Sequence, residues 1–308
     1  MKKSTEEFRK MFGEGKEALE KMFEGYMYTR WPDLYVYHLR KLASTLIPDP
    51  EVILRYPTEI GTPELDEMTE FAVQKTLPTL LSPETSTYHS KVVKLDDARK
   101  LLTINRDIAL TDLETVIPYK HARDIILKNP DHIAVIDCPC RSTKENACQP
   151  IDVCMVVGEP FAGFVLEHGG NNARKINQQE AVEILKAEDD RGHVHTAWFK
   201  DAMGDRFYAI CNCCNCCCGG MRAFSNNVPI IAPSGYVSEI SEDCDGCGQC
   251  ADYCQFGAIS VNGEAVVNYE KCMGCGVCES KCPAEAISLK RDPAKGEPLD
   301  IMALAEQV

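Results

Sequence analysis

Asp243-Cys244-Asp245-Gly246-Cys247-Gly248-Gln249-Cys250-Ala251-Asp252-Tyr253-Cys254 returns 28 residues later as Lys271-Cys272-Met273-Gly274-Cys275-Gly276-Val277-Cys278-Glu279-Ser280-Lys281-Cys282. Beyond each run the likeness continues, Ala258-Ile259-Ser260 matching Ala286-Ile287-Ser288. Each half reads Cys-x2-Cys-x2-Cys-x3-Cys. Two residues between thiolates let a tight loop wrap one face of a cube-shaped metal cluster. Gly246, Gly248, Gly274 and Gly276 permit the positive φ such a loop needs and let amides approach sulfur. Short strands are expected near Val237–Ile240, Ile259–Val261, Val266–Asn268 and Ile287–Leu289, closing a small sandwich, with each fourth cysteine starting a short helix. A pair of zinc sites is the competing reading, but zinc usually draws on two separated ligand pairs.

The doubled run resembles that of the two-cluster bacterial ferredoxins, in which the fourth cysteine of each run serves the other cluster. The resemblance implies two [4Fe–4S] clusters in residues 236–290. One takes Cys244, Cys247, Cys250 and Cys282; the other takes Cys272, Cys275, Cys278 and Cys254. Pro283 follows Cys282 as in that family. Gln255 stands after Cys254 instead, a departure expected to alter local solvent access without removing a ligand.

The chain has 308 residues and 18 cysteines, none of them before Cys138. Disulfides staple a whole fold, whereas metal sites gather ligands locally, so this bunching points to thiolates in a reducing, cytoplasmic compartment. Met1-Lys2-Lys3-Ser4-Thr5-Glu6-Glu7 has no apolar stretch behind its lysines and is not read as a signal peptide. No apolar run suffices for a membrane span. A net charge of −14 argues against nucleic acid. It favours a basic docking face on a redox partner, expected to be an oxidoreductase complex.

Ten cysteines remain outside the ferredoxin runs. Cys138-Pro139-Cys140-Arg141, Cys148 and Cys154 form one group; the other is Cys211-Asn212-Cys213-Cys214-Asn215-Cys216-Cys217-Cys218-Gly219-Gly220. Six cysteines within eight positions is not a packing pattern, and unprotected thiols at that density would oxidise. Soft thiolates suit zinc as well as iron–sulfur clusters. One or two further [4Fe–4S] clusters in residues 136–235 are the favoured reading, with the two groups meeting around at least one. The favoured ligands are Cys140, Cys148, Cys154, Cys211, Cys213, Cys214 and Cys217. Arg141 is read either as tuning a cluster or as a surface ion pair, and His195 as a buried, hydrogen-bonded histidine beside Cys211.

Residues 118–290 resemble a family of iron–sulfur-binding proteins of anaerobic bacteria and archaea. The marks are Cys138, Cys140 and Arg141, then Cys148 and Cys154, then Gly192, Val194 and His195, and finally Cys211-Asn212-Cys213-Cys214 with the terminal ferredoxin module. His193 stands where that family usually has leucine. The resemblance implies electron transfer and names no substrate.

Elsewhere the pattern is helical. Residues 4–28 read as one amphipathic helix with a Ser4/Glu7 capping box. Tyr35–Leu46 reads as a second helix, and Thr62-Pro63 caps a third to about residue 77. Pro118 starts another to about Lys128. Ile133–Asp137 reads as a strand. Asn177 and Glu180 cap a helix ending near Gly192, and His193–Phe199 and Arg206–Ile210 read as a hairpin. His38, His89, His121 and His132 are read as surface or packing residues, and the Tyr26, Tyr28, Trp31, Tyr35, Tyr37 cluster as packing.

The expected fold class is α+β: a mostly helical N-terminal docking region (1–135), a Cys-rich α/β middle domain (136–235), a ferredoxin-like module (236–290) and a tail (291–308). The expected function is electron transfer through several [4Fe–4S] clusters, with no catalytic residue assigned. The alternative is a redox enzyme subunit with a special catalytic cluster in the middle domain. Cys217-Cys218-Gly219 is similar to the Cys-Cys-Gly motif of heterodisulfide-reducing subunits, which carry two such motifs. No Gly-x-Gly-x-x-Gly fingerprint for a flavin or nicotinamide is present.

Overall fold

The structure is a computed structural model that describes residues 2–48, 52–169 and 172–306. In chain order its elements are α1 (Lys3–Lys10), α2 (Lys16–Arg30), α3 (Pro32–Leu46), α4 (Pro63–Thr79), β1 (Tyr88–Val92), α5 (Leu95–Thr103), β2 (Ile108–Leu110), β3 (Ile125–Asp137), α6 (Pro139–Ser142), β4 (Asp152–Glu159), α7 (Phe161–His168), β5 (Ala173–Ile176) and α8 (Gln178–Asp190). The hairpin β6 (Val194–Lys200) and β7 (Arg206–Cys213) follows, then α9 (Gly219–Ser225) and β8 (Ile231–Ala232). The ferredoxin runs lie among β9 (Tyr236–Ile240), α10 (Gln249–Tyr253), β10 (Ile259–Asn262), β11 (Glu264–Val267), α11 (Val277–Ser280) and β12 (Ile287–Arg291), and α12 (Ile301–Ala305) comes last.

An eight-stranded sheet organises the molecule in the order β2-β3-β4-β7-β6-β1-β8, with β5 also pairing β3. All pairs are antiparallel except β1 with β8. Its central strands are apolar on both faces. In β3 and β6, Ile133, Val135, Ala197 and Phe199 join one core, which α5 and α8 cover. Ala134, Val194 and Trp198 join a second core with Phe8, Phe161 and Phe164 from α1 and α7. A strand buried on both sides shows no apolar alternation, which is why only part of this sheet is readable from periodicity.

Mixed helices and strands agree with the α+β expectation, with corrections inside it. Residues 4–28 form two helices, because Gly13 and Gly15 interrupt them and Gly15 sits at φ +109°. Ser4 does not cap: α1 begins after Lys2, and the Ser4 amide and hydroxyl both donate to Glu167. The helix expected from Pro118 to Lys128 is absent. Residues from Ile125 onward are drawn into β3 by pairing with β2 and β4, burying Ile125 and Leu127 in the sheet core. Residues 1–135 are not helical throughout: β1, β2 and most of β3 come from this segment beside its five helices, so residue 135 falls inside a sheet strand. Lys200 on β6 is fully buried and donates to Glu24 of α2 at 2.6 Å, tying the helical layer to the sheet. The Thr62 cap on α4, the Asn177 cap on α8 and the β6–β7 hairpin stand as expected.

The C-terminal residues are no loose tail. Leu299 and Ile301 are buried in the first sheet core, and Asp300 pairs with Lys100 of α5 at 2.8 Å.

His89 is a packing histidine with a pH consequence. It is fully buried, stacked on Tyr119 at 3.8 Å, and its Nε2–H donates to the His121 carbonyl at 2.8 Å. Burial lowers its pKa from 6.5 to about 4. Below pH 6.5 the unfolded chain therefore takes up a proton that the folded chain refuses. Stability is lost as pH falls through that window, by about 2 kcal/mol between pH 7 and pH 5. His89→Phe should keep the stacking and flatten this slope. Chemical denaturation at the two pH values checks it, and an unchanged slope refutes it.

Candidate metal centres

The ferredoxin runs fold as two related loops. Gly246 and Gly274 have φ of +70° and +64°. A Cβ there would meet the Gly263 carbonyl oxygen at 1.9 Å and the Tyr236 carbonyl oxygen at 2.2 Å, so only glycine lets the loops close on the β10–β11 turn and on β9. The short helices α10 and α11 carry the third cysteine of each run, Cys250 and Cys278. The fourth cysteines, Cys254 and Cys282, follow these helices and do not start them. Past each fourth cysteine the chain turns back and donates an amide to its sulfur: Ala258 to Cys254 at 3.2 Å and Ala286 to Cys282 at 3.3 Å. Ser238 serves the second run, its amide 3.4 Å from the Cys272 sulfur and its hydroxyl 3.0 Å from that of Cys278. Such donors stabilise thiolates bound to an electron-rich cluster.

The geometry crosses the runs. Cys244, Cys247 and Cys250 share one hollow with Cys282 and Pro283. Cys254 lies instead near Cys275 and Cys278, whose thiols feel it electrostatically, and packs against the small cluster that holds Cys272. The first hollow is shallow: Cys247 is exposed among the exposed acids Glu242, Asp243 and Asp245. The second is deeper, with Cys272 and Cys278 buried.

A family model described as a 4Fe-4S dicluster domain matches residues 243–294. These residues are a ferredoxin-type, [4Fe–4S]-binding module. No curated protein matches the chain, and the second cysteine system lies outside the matched residues. No described helix is long and apolar enough to cross a membrane.

Gln255, the departure from the ferredoxin pattern, faces the rest of the molecule. Its side-chain amide donates to the Gly192 carbonyl and accepts from the Asn215 amide, both at 2.9 Å. A proline could make neither bond. The substitution fastens the module to the Cys-rich turn, and Cys254 lines one cleft with Cys148, Cys214 and Cys216.

The ten remaining cysteines do meet, at two places. β3 runs into Cys138 and Cys140; β4 carries Cys154; β7 carries Cys211 and Cys213; Cys218 precedes α9. The β4–β7 register that pairs Met155 with Ile210 sets Cys154 beside Cys211. The thiols then touch in sequence: Cys211 with Cys154, Cys154 with Cys138, Cys138 with Cys140, Cys140 with Cys218, and Cys218 with Cys213 at 3.3 Å. These six line a cavity of about 410 Å³, which Cys214 and Cys217 also border. Contacts with Cys138 and Cys218 hold the Cys140 thiol well below its ordinary pKa. Across the cavity stand Tyr28, Tyr88 and Tyr208, the Tyr28 hydroxyl 2.7 Å from that of Tyr208 and 3.4 Å from that of Tyr88. Asp33 also lines it, its pKa raised to about 7 by burial and by the negative charges of Asp137 and Cys140. Tyr28 and Asp33 come from the helices expected to be only a scaffold or docking region.

The second meeting place joins Cys148 to Cys214, Cys216 and Cys217, all four sulfurs lying within 4.8 Å of one another. The favoured seven ligands thus divide. Cys140, Cys154, Cys211 and Cys213 go to the cavity wall, and Cys148, Cys214 and Cys217 to the compact group. Cys138, Cys216 and Cys218, not favoured from sequence, complete the two sets. Their assignment needed the β4–β7 register, which spacing alone does not give.

Arg141 is not at the surface. Its side chain and that of Glu188 are each 1% exposed and pair at 2.7 Å. Burial raises the Glu188 pKa, but hydrogen bonds from His193 and Arg141 outweigh it and hold the carboxyl below its usual range. His193, the departure from the leucine of the resembling family, has its Nδ1 2.7 Å from the same carboxylate. His195 is buried, its Nδ1 bonded to Asn212 Oδ1 at 2.6 Å, in keeping with a hydrogen-bonded histidine.

Proposed function

We propose that this protein is an iron–sulfur electron carrier. Its ferredoxin module receives electrons from, or delivers them to, an oxidoreductase partner, and a third [4Fe–4S] cluster sits on the wall formed by Cys138, Cys140, Cys154, Cys211, Cys213 and Cys218. The observation that carries the reading is that Cys254 of the module lines one cleft with Cys148, Cys214 and Cys216, and Cys214 in turn lines the buried cavity with the six cysteines of its wall. A [4Fe–4S] cluster supplies one-electron chemistry at modest reorganisation cost. The chain's own residues set its surroundings. Asp243 and Asp245 present negative charge at the shallow hollow, suited to a basic partner face. Gln255 holds the deeper hollow against the Cys-rich turn. Arg141 brings a buried positive charge to the Asn212 carbonyl, between Cys211 and Cys213, at 3.1 Å.

A second reading has a specific observation behind it. A pure carrier has no need of a cavity of this size beside its thiols, whereas an enzyme subunit with a catalytic cluster does. Tyr28, Tyr208 and Asp33 would then orient a small substrate and hold protons for it.

Full-length protein purified without oxygen should contain about twelve irons, from three four-iron clusters. Cys154→Ser should lose about four of them and leave the reduced ferredoxin EPR signals intact. Full iron retention in the variant, or only about eight irons in the parent, overturns the third cluster.

A further inference from the structure

We propose that Cys148, Cys214, Cys216 and Cys217 hold a single zinc ion. This goes beyond the electron-carrier reading and does not depend on it. The sulfur separations decide the matter. Cys148 lies 3.2 Å from Cys216 and 3.9 Å from Cys214; Cys216 lies 3.4 Å from Cys214 and 3.6 Å from Cys217. With zinc–sulfur bonds of about 2.3 Å, the edge of a four-thiolate tetrahedron is about 3.8 Å. A four-iron cube carries each thiolate on its own iron at a separate corner, and so holds its sulfurs farther apart.

The chain supplies its own comparison. No three of the eight ferredoxin cysteines lie within 4.8 Å of one another, and neither do any three of the six on the cavity wall. The compact group stands alone in this among the described residues. Soft thiolates with no room for a cluster between them suit a closed, tetrahedral ion.

Local structure builds the site. A turn in which the Cys217 and Cys218 amides both donate to the Cys214 carbonyl brings Cys214, Cys216 and Cys217 to one side. Cys148 arrives from the loop before β4, its amide donating to the Cys217 sulfur at 3.4 Å. Lys144 of the same loop donates to the Cys216 carbonyl at 2.7 Å. Four protein ligands leave no open position, so the ion is structural. It rivets the 138–154 segment to the 214–218 turn and thereby fixes Cys213 and Cys218 on the cavity wall.

Full-length protein, expressed without oxygen in medium holding both iron and zinc, should carry about one zinc per chain beside its iron. Cys148→Ser and Cys216→Ser should each lower zinc at least several-fold, while the ferredoxin EPR signals persist. If the variants lose about four irons instead, the sulfurs hold a cluster and the proposal fails. Absence of zinc from the parent, or zinc at the parent level in the double variant, also overturns it. Should the variants fold poorly, unmutated protein grown on cobalt decides: tetrahedral thiolate–cobalt absorption bands are expected, and their absence refutes the site.

Discussion

Serine at position 282 should remove about four irons, and they should come from the hollow of the first run although Cys282 belongs to the second. The basis is the shared lining of Cys244, Cys247, Cys250 and Cys282. Single substitutions cannot reveal which hollow has emptied, but pairs can. Cys247→Ser with Cys282→Ser should lose no more iron than either alone, because both serve one cluster. Cys275→Ser with Cys282→Ser should lose about eight irons, because each empties a different hollow. Reduced EPR of the first pair should show one surviving cluster without the spin–spin broadening of two neighbours. Were the Cys275/Cys282 pair to lose only four irons, each run would be serving its own cluster and the crossed geometry would be wrong.

The largest expected effect on folding lies at Glu188. Removing one partner of a fully buried ion pair strands the other charge, at a cost of roughly 3–5 kcal/mol. Glu188→Ala leaves the Arg141 guanidinium facing only carbonyls and His193. The midpoint of thermal unfolding should fall by roughly 5–10 °C, and soluble yield should fall with it. The combination of Arg141→Met and Glu188→Leu should recover most of the loss, because it removes both desolvation penalties together. A Glu188→Ala midpoint within a degree of the parent would show that the pair is hydrated in solution.

The ferredoxin module was legible in the sequence because its ligands are local. Spacing within each run fixes the loops, and all four expected strands are present. The crossed placement of Cys254 and Cys282 followed from resemblance, not spacing. The middle region was legible only in part. Crowding led to the expectation that the two cysteine groups meet, and they do, but allocation among ten cysteines depends on a sheet register joining residues more than fifty positions apart, as Cys154 and Cys211 are. Arg141 gave no sign of burial because its partner, Glu188, sits on a different element. The sheet strands before residue 133 were missed for another reason. β1 is buried along most of its length although its sequence is polar, with His89, Ser90 and Lys91 inside. No hydrophobic pattern marks such a strand, and tertiary pairing alone makes it.

The return of Leu299 and Ile301 to the sheet core changes what kind of device the ferredoxin module is. Entered directly from β8, which pairs with β1 of the large sheet, and followed by this apolar plug, it has no tether on which to swing. Electron tunnelling falls off exponentially with distance, so a dangling module would spend most of its time out of range and its rate would depend on viscosity and linker length. Held at two points, the module keeps one spacing from the cysteine wall. On the electron-carrier reading proposed above, throughput is then set when the chain folds, and lengthening the 291–298 connection should leave it unchanged unless the plug itself comes out.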